Sequence, residues 1–403
     1  MTPRERIIAA LSHKESDRIP VDLGSTESSG ITWIPYNKLK NHLNISTVTK
    51  VFDMMQLIAK VEPGVLNAVG VDVVPLLIEP REWKPWQFEE GTIVEIPKKA
   101  DLERLSNGDT VMKSENRTVL SRLPRGGFYF DSVYHPLENA RTVEDIDAGE
   151  AFFKGFDWPC YWDEDFSDIA KKAKKLYKET QYAIVGNLCV HLLAAGQEIR
   201  GFENFMMDLV INKSLAHRLL QKQVEAYMPR IDRYIEAVGP YLQIILVNDD
   251  LGTQNGLQIK PELYREMIKP YHRQLWGYIK EKSGKPLLFH SCGSIYEIIP
   301  DLIEIGVDAL NPVQVSAKNM DTAKLKKEFG KDLTFWGGGC DSQRILPYGT
   351  QKDVREEVKR RVNDLAPGGG FVFCQVHNIQ PDVPLENILA MYEELESSNS
   401  SIF

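Results

Sequence analysis

Residues 287–313 read LLFHSCGSIYEIIPDLIEIGVDALNPV, a short apolar run followed by a helical stretch and a second apolar run. The first run, which ends at His290, is typical of a buried strand because it is short and uninterrupted by polar residues. His290 and Cys292 lie two residues apart, so on a strand their side chains point the same way. We therefore expect an imidazole and a thiol to converge at a strand end, where Gly293 lets the chain turn away.

A second stretch, LTFWGGGCDSQRI at residues 333–345, supplies Cys340 after another apolar run. Three ligands of mixed nitrogen and sulfur type are typical of a zinc ion that keeps an open position for chemistry, whereas closed structural sites usually have four protein ligands. The sequence therefore predicts a zinc centre formed by His290, Cys292 and Cys340. Two alternatives stay open: a purely structural zinc that ties strand ends together, and two buried thiols beside a core histidine.

The composition is that of an ordinary globular protein. The chain has 403 residues, 43% of them hydrophobic and 26% charged, with a formal net charge of −9 that argues against nucleic acid or an anionic membrane as partner. The N-terminus lacks a long apolar segment, so we expect no secretory signal, and no stretch approaches the length of a membrane span. Without an export signal, reduced thiols and a cytoplasmic location are expected for the five cysteines, Cys160, Cys189, Cys292, Cys340 and Cys374.

Eight strand-like runs alternate with helical stretches along the chain. They begin at Ile19, Val71, Gln181, Tyr241, Lys285, Gly306, Asp332 and Gly369. This alternation predicts an α/β fold with a parallel sheet buried on both faces, and eight strands favour a single (β/α)8 TIM barrel over residues 1–403. In such a barrel the chemistry lies at the C-terminal ends of the strands. Besides the zinc ligands, the polar residues at those ends are Glu79, Asp249, Asp250, Asn311, Gln314 and His377.

Residues from about 80 to 136 interrupt the alternation. Short runs separated by the turn signals Asn107-Gly108 and Gly126-Gly127 predict an antiparallel β insertion after the second strand. The insertion is rich in aromatic residues, which we expect mainly to pack it onto the barrel, although a roof over an apolar substrate pocket is the alternative. These residues are Trp83, Trp86, Phe88, Phe128, Tyr129, Phe130 and Tyr134.

With these features placed, the chain resembles the uroporphyrinogen decarboxylase superfamily from TPRERIIAALSHKESDRIPV to GFVFCQVHNIQPDVPLENILAMYEEL. The pattern His290-x-Cys292…Cys340 resembles the zinc-dependent methyltransferases of that superfamily, which work with a corrinoid. True decarboxylases of the family carry an arginine-rich first strand, whereas this region reads IPVDLGSTESSGITWIP and has no arginine. The family's catalytic aspartate after the second strand is also missing from LLIEP, where Glu79 is the nearest carboxylate. Decarboxylation of a tetrapyrrole is therefore disfavoured.

The resemblance implies methyl transfer in one of two directions. Because of its insertion the chain resembles O-demethylase methyltransferases, in which zinc would act as a Lewis acid on the leaving oxygen of a methoxylated aromatic substrate. The methyl group would pass to the Co(I) corrinoid of a partner protein, because this chain has no D-x-H-x-x-G cobalamin motif. The alternative is a thiol or tetrahydrofolate methyltransferase, in which zinc activates the acceptor. The sequence leaves a homodimer open.

The other polar candidates lie near the C-terminal ends of the predicted strands, and each has an expected role there. Asp250 and Glu79 are candidates for a fourth ligand or a catalytic carboxylate, whereas Asp249 and Asp250 could instead cap the segment that follows them or orient the His290 ring. His377, at a position that the resemblance places in the pocket, is a candidate general acid. The candidates for substrate binding, with backbone capping or a structural role as the alternative for several of them, are Asn311, Gln314, Asn378 and His191.

Overall fold

A curled parallel sheet organises the protein. The computed structural model describes residues 1–88, 91–149 and 166–402, so Cys160 and residues 89–90 of the insertion lie outside the described residues. Seven parallel strands form the sheet in the order β15-β14-β13-β12-β11-β10-β3. They are β3 (Val73–Leu76), β10 (Ala183–Asn187), β11 (Ile244–Asn248), β12 (Leu287–His290), β13 (Ala309–Asn311), β14 (Thr334–Trp336) and β15 (Phe371–Val372).

The segment Pro20–Asp22 joins the two edges of this sheet. The Asp22 amide donates to the Phe373 carbonyl, and the Asp72 amide donates to the Val21 carbonyl, both at 2.8 Å. Val21 thus forms a parallel bridge with Phe373 just after β15, and Asp22 forms one with Val73 of β3. The predicted first strand from Ile19 is therefore wrong as a full strand. Its pairing ends after Asp22 because the chain turns at Gly24, whose φ is +87°.

Helices cover the outer face of the sheet, and none in the described ranges is long and apolar enough to cross a membrane. The first eight are α1 (Pro3–Leu11), α2 (Trp33–His42), α3 (Pro63–Val69), α4 (Val143–Ala148), α5 (Phe166–Glu179), α6 (Leu193–Arg200), α7 (Phe202–Ile211) and α8 (Lys213–Val238). The others are α9 (Pro261–Leu263), which continues through a π-turn into α10 (Lys269–Ser283), α11 (Ile299–Glu304), α12 (Thr322–Phe329), α13 (Ile345–Tyr348), α14 (Gln351–Leu365) and α15 (Leu385–Ile402).

Alternate side chains of each strand pack into different cores. Leu288 and Trp336 belong to a small cluster inside the curl of the sheet, which Ile7 of α1 closes from one end. Their neighbours Phe289 and Phe335 belong to the large cluster between the sheet and the helices. This period of two follows from strand geometry, and both faces of the sheet are apolar because both are covered.

Antiparallel strands occupy the chain between residues 83 and 132. β4 (Trp83–Gln87) pairs with β5 (Ile93–Pro97). A four-stranded sheet follows, with β6 (Asp101–Arg104), β7 (Thr110–Lys113), β8 (Val119–Leu123) and β9 (Asp131–Ser132). A small ribbon of β1 (Val51–Asp53) and β2 (Ile58–Ala59) lies earlier in the chain. Aromatic side chains pack this region onto the rest: Phe88 stacks on Trp33 with ring centroids 4.6 Å apart, and the Tyr129 hydroxyl donates to Asn378 Oδ1 at 3.2 Å.

Candidate metal centre and its cavity

Three side chains with metal-binding atoms meet at the C-terminal end of the sheet. His290 ends β12, Cys292 follows it by two residues, and His377 comes in the loop after β15. One ligand atom from each of the three lies within 4.8 Å of the other two. The Cys292 Sγ is 3.6 Å from His290 Nε2, so Nε2 is the ring nitrogen that faces the centre of the cluster. Two imidazoles and one thiol form the mixed nitrogen and sulfur set that zinc prefers.

Asn311 fixes the orientation of the His290 ring. The two residues are register partners on β12 and β13, and His290 Nδ1 lies 2.7 Å from Asn311 Oδ1. Asn311 Nδ2 donates to the Trp336 carbonyl at 3.0 Å, so its Oδ1 is the acceptor and the proton sits on His290 Nδ1. The lone pair of Nε2 is thereby left for a metal ion. The prediction that Asn311 binds substrate is wrong for this buried side chain, which supports a candidate ligand instead.

The protonation states of the three side chains suit a metal ion whose binding displaces a single proton. Burial, with a further contribution from the nearby His290, lowers the pKa of His377 to about 4, so its imidazole is neutral at pH 7. Burial and the neighbouring Asp250 raise the pKa of the Cys292 thiol well above its usual range. Cys292 is therefore a thiol without a metal, and zinc binding releases its proton because the thiolate is the ligand.

Cys340 does not join this cluster among the described residues, which corrects the predicted triad. Its fully buried side chain belongs to the hydrophobic core between sheet and helices. Burial is the main cause of the raised pKa of its thiol, and Glu357 of α14 adds to it. The local cause is the glycine run before it: Gly337 and Gly338 have φ values of +114° and +76°, so the alternation of β14 does not continue to Cys340.

The two aspartates after β11 have different roles. Asp250 lines the cavity beside the cluster, with Oδ1 3.7 Å from His290 Nε2, and the same oxygen accepts from the Cys292 amide at 2.8 Å. Asp250 therefore holds the Cys292 loop in place and stays a candidate for a further ligand. Asp249 is buried and accepts from the Leu193 and Ala194 amides at 2.8 Å, so it caps α6, an earlier helix, and not the segment that follows it as expected.

Three other predicted site residues lie outside the cavity wall. Gln314 accepts from the Gly293 amide at 2.7 Å and so supports the Cys292 loop from behind. Asn378 is buried and donates to Gln56 Oε1 at 2.7 Å while accepting from Tyr129, which ties the insertion to the sheet. Glu79 forms ion pairs with Lys60 at 2.6 Å and Lys172 at 2.7 Å. Burial opposes ionisation of Glu79, but the two lysines outweigh it and lower the pKa of its carboxyl.

A cavity of about 270 Å³ opens beside the cluster. His191 lines it, and burial lowers the pKa of its imidazole, while its role in substrate binding stays a prediction. The lining side chains come from both halves of the chain. They are Thr26, Glu27, Ser28, Asp53, Met55, Gln56, Asn187, Cys189, His191, Ala194, Glu198, Leu246, Asn248, Asp250, His290 and His377.

Three carboxylates of the cavity lining, Glu27, Asp53 and Glu198, were not predicted as site residues from the sequence. Glu27 accepts from Asn187 Nδ2 at 2.8 Å, and burial together with the nearby Asp53 raises the pKa of the Glu27 carboxyl to about 7. Burial likewise raises the pKa of Glu198 to about 7. The signal that could have found Glu27 is its place in LGSTESSG, directly after the first predicted strand.

Comparisons with known proteins agree with this architecture. A sequence model described as uroporphyrinogen decarboxylase (URO-D) matches residues 160–397. A solved methyltransferase from Methanosarcina mazei superposes with a TM-score of 0.60 over 98% of this chain and 99% of that chain, at 16% sequence identity. At that identity the likeness shows the fold alone.

The curated relatives match a smaller share of this chain than the solved methyltransferase does. A uroporphyrinogen decarboxylase from Legionella pneumophila is 26% identical over 206 residues, which cover 50% of this chain and 53% of that protein. One from Chlamydia caviae is 22% identical over 244 residues, covering 59% and 68% respectively. The chain thus spans about half the length of the first of these relatives.

Proposed function

The chain belongs to the uroporphyrinogen decarboxylase (URO-D) family, and we propose that within it this protein is a zinc-dependent methyltransferase. It would pass a methyl group from a small methylated substrate to the Co(I) corrinoid of a partner protein. The observation that carries the proposal is the cluster of His290, Cys292 and His377 beside a cavity of about 270 Å³. We take the curled seven-stranded sheet, whose two edges are joined by residues 20–22, as a (β/α)8 barrel. In such a barrel the chemistry lies at the C-terminal ends of the strands.

Each cluster residue has a defined part in holding the metal. His290 presents Nε2 because Asn311 holds its Nδ1, and His377 is neutral without any proton loss. Cys292 is held by the bond from its amide to Asp250. Zinc bound by these three side chains would supply a Lewis acid for the heteroatom that carries the methyl group. The cavity side of the cluster, lined by His191 and Asp250, is where the substrate would enter.

The charge of the cavity argues against the decarboxylase activity named for the curated relatives. No lysine or arginine is among the residues that line it in the described part of the chain, whereas four carboxyl groups are. A substrate with several carboxylates would meet like charges without a cation to pair with them. This agrees with the absence of arginine from the segment after Ile19.

The direct test follows methyl transfer to cobalt. We expect the zinc-loaded protein to convert chemically reduced cobalamin into methylcobalamin with at least one donor from a panel of methoxyaromatics, methanol, methylamines, methyl ethers and methyl thioethers. His377→Ala should lose both bound zinc and activity. Cys340→Ala should keep both, because Cys340 lies outside the cluster.

Two results would replace the proposal. Demethylation of methylcobalamin by a thiol or tetrahydrofolate, with no donor active in the forward assay, would favour the alternative in which zinc activates the acceptor. Decarboxylation of a tetrapyrrole that persists in the presence of a chelator would favour a true decarboxylase.

A further inference from the structure

We infer that the cavity selects substrates with a positively charged amino group, held by the acidic wall of the cavity that contains Glu27 and Glu198. The inference rests on the proposed function only for the reaction; the binding preference can be tested without it. The substrate class is a small aliphatic molecule with a methylated oxygen or sulfur at one end and a protonated amine at the other.

The cavity is lined by several carboxyl groups, which favour a cationic ligand. The lining includes the carboxyl groups of Glu27, Asp53, Glu198 and Asp250, and no lysine or arginine lines the cavity within the ranges that the structure describes. An ion in a partly buried site needs an opposite charge or several hydrogen bonds to offset its desolvation. A ligand cation would provide that charge for this wall.

Two acceptors of the cavity lining, the Glu198 carboxyl group and Asn248 Oδ1, have no hydrogen-bond donor among the described residues. Within the described residues, the Glu198 side chain makes no hydrogen bond or ion pair, although only part of it is exposed. Glu27 accepts from Asn187 and from its own backbone amide, and Asn248 Oδ1 is a buried acceptor without a partner among the described residues. A protonated amine carries up to three N–H donors, so it matches a wall that offers acceptors in excess.

The pKa values agree with this picture. The pKa of Glu27 and that of Glu198 are both raised to about 7, chiefly by burial. Raised values at two positions of one cavity indicate that the described residues provide no cation that offsets the burial of either carboxyl group.

The lining and the volume of the cavity limit the shape and size of the ligand. Apart from histidine, no aromatic ring is among the lining residues that the structure describes. Quaternary ammonium groups are usually bound by aromatic faces, whereas an amine with N–H bonds can be held by carboxylates alone. A volume of about 270 Å³ suits a small molecule rather than a tetrapyrrole.

A matched set of three compounds tests the preference: 2-methoxyethylamine, 2-methoxyethanol and methoxyacetate differ mainly in charge. Binding to the zinc-loaded protein is measured by calorimetry at pH 8, with ethanolamine as a ligand that has no methyl group to transfer. We expect the amine to bind at least tenfold more tightly than the alcohol, and methoxyacetate to show no measurable binding.

Variants assign the effect to the wall. Glu27→Gln and Glu198→Gln should each reduce the preference for the amine over the alcohol by about tenfold, since each removes one negative charge at nearly constant shape. Glu203→Gln is the control, because Glu203 is exposed on α7 and outside the cavity. It should leave the preference unchanged.

The outcomes separate this inference from the proposed function. Equal or tighter binding of methoxyacetate, or a preference that survives in both variants, would overturn the inference even if methylcobalamin forms. Selective amine binding without methylcobalamin from any donor would uphold the cationic site and contradict the proposed methyl transfer.

Discussion

Asn311 shows how one side chain behind the cluster controls a candidate metal ligand. It is not among the residues that line the cavity beside the cluster, yet its Oδ1 accepts from His290 and from the Ser28 hydroxyl, and its Nδ2 donates to the Trp336 carbonyl. Removing it frees the His290 ring to rotate and to move its proton to Nε2. The effect on zinc should therefore be indirect but large.

We predict that Asn311→Ala weakens zinc binding by about 10- to 100-fold, measured by competition with a chromophoric chelator. Asn311→Asp keeps an acceptor for His290 Nδ1 and should lose less affinity. Zinc affinity equal to that of the wild type in Asn311→Ala would show that the bond to His290 has no part in metal binding.

Glu198 should make stability depend on pH. Its pKa in the folded protein is raised to about 7 from an ordinary 4.5, so folding favours the protonated form. The stability that this provides is present below pH 4.5 and is lost as the pH rises through 7. Glu198→Gln removes this loss, so we expect the variant to be more stable than the metal-free wild type at pH 8, by on the order of 1 to 3 kcal/mol.

The measurement is urea denaturation of both proteins at pH 5 and pH 8. At pH 5 the difference should be small, since the wild-type carboxyl is then largely protonated. Glu203→Gln, on the exposed side of α7, serves as the control and should show no such dependence. A difference of equal size at both pH values would contradict burial of a titrating Glu198.

Two of the three candidate metal ligands could be predicted from sequence because their relation is local. His290 ends β12 and Cys292 follows it by two residues, so the strand period of two already indicates that both side chains point the same way. Cys340 could not be placed in this way, since three glycines separate it from β14 and two of them have positive φ. His377 was expected at the C-terminal end of a strand but not as a metal ligand, because its distance from His290 depends on how β15 closes against the rest of the sheet.

Among the elements, the loop between β12 and α11 is the most constrained part of the site. Gly293 has a φ of +84°, and a Cβ there would lie 2.4 Å from Gly252 C and 2.6 Å from Thr253 N. Both contacts are with backbone, so the loop that carries Cys292 would have to move. Gly284, before β12, has a φ of +63° but no atom within 4 Å of its Cβ position, which makes it a matched control for strain alone.

We predict that Gly293→Ala lowers zinc affinity at least tenfold, because the displaced loop takes Cys292 away from His290. Gly284→Ala should keep the affinity and lose only about 1 kcal/mol of stability from its backbone conformation. Zinc titration and urea denaturation of both variants check this. Equal zinc affinities in the two would mean that the loop tolerates the clash.

At the scale of the whole molecule, Asp72 connects the segment that joins the sheet edges to β3. Its carboxylate is fully buried and accepts from the Val21 amide at 2.8 Å, from Arg18 at 2.7 Å and from Arg6 at 3.0 Å. Removing the carboxylate would take away the anionic partner of Arg18 and leave Arg6 paired with the partly exposed Asp17 alone. The same change would free the edge of the sheet at Val21.

We predict that Asp72→Ala lowers the free energy of unfolding by about 3 to 5 kcal/mol. Asp17→Ala is the control: Asp17 also pairs with Arg6, at 2.6 Å, but its side chain is 43% exposed, so its loss should cost less than about 1 kcal/mol. Urea denaturation measures both. If the two substitutions cost the same, the buried network does not hold the sheet edges together.

The parallel strands were predictable because their apolar runs are nearly uninterrupted, as expected when both faces of a sheet are covered. The first predicted strand was too long, because the turn at Gly24 ends the pairing of Pro20–Asp22. The carboxylates of the cavity belong to loops from distant parts of the chain. Asp53, for instance, faces Glu27 only after the β1–β2 ribbon folds back, and no local pattern records that meeting.

The candidate metal ligands and two carboxylates of the cavity come from different parts of the chain, which has a consequence for directed evolution. All three cluster residues lie between positions 290 and 377, whereas Glu27 and Asp53 come from the first 60 residues. A mutant library confined to residues 24–30 and 53–55, with Ser28 retained for its bond to Asn311, would vary which molecule is admitted. The reacting centre would be left untouched, so new donors could be screened against a constant chemistry.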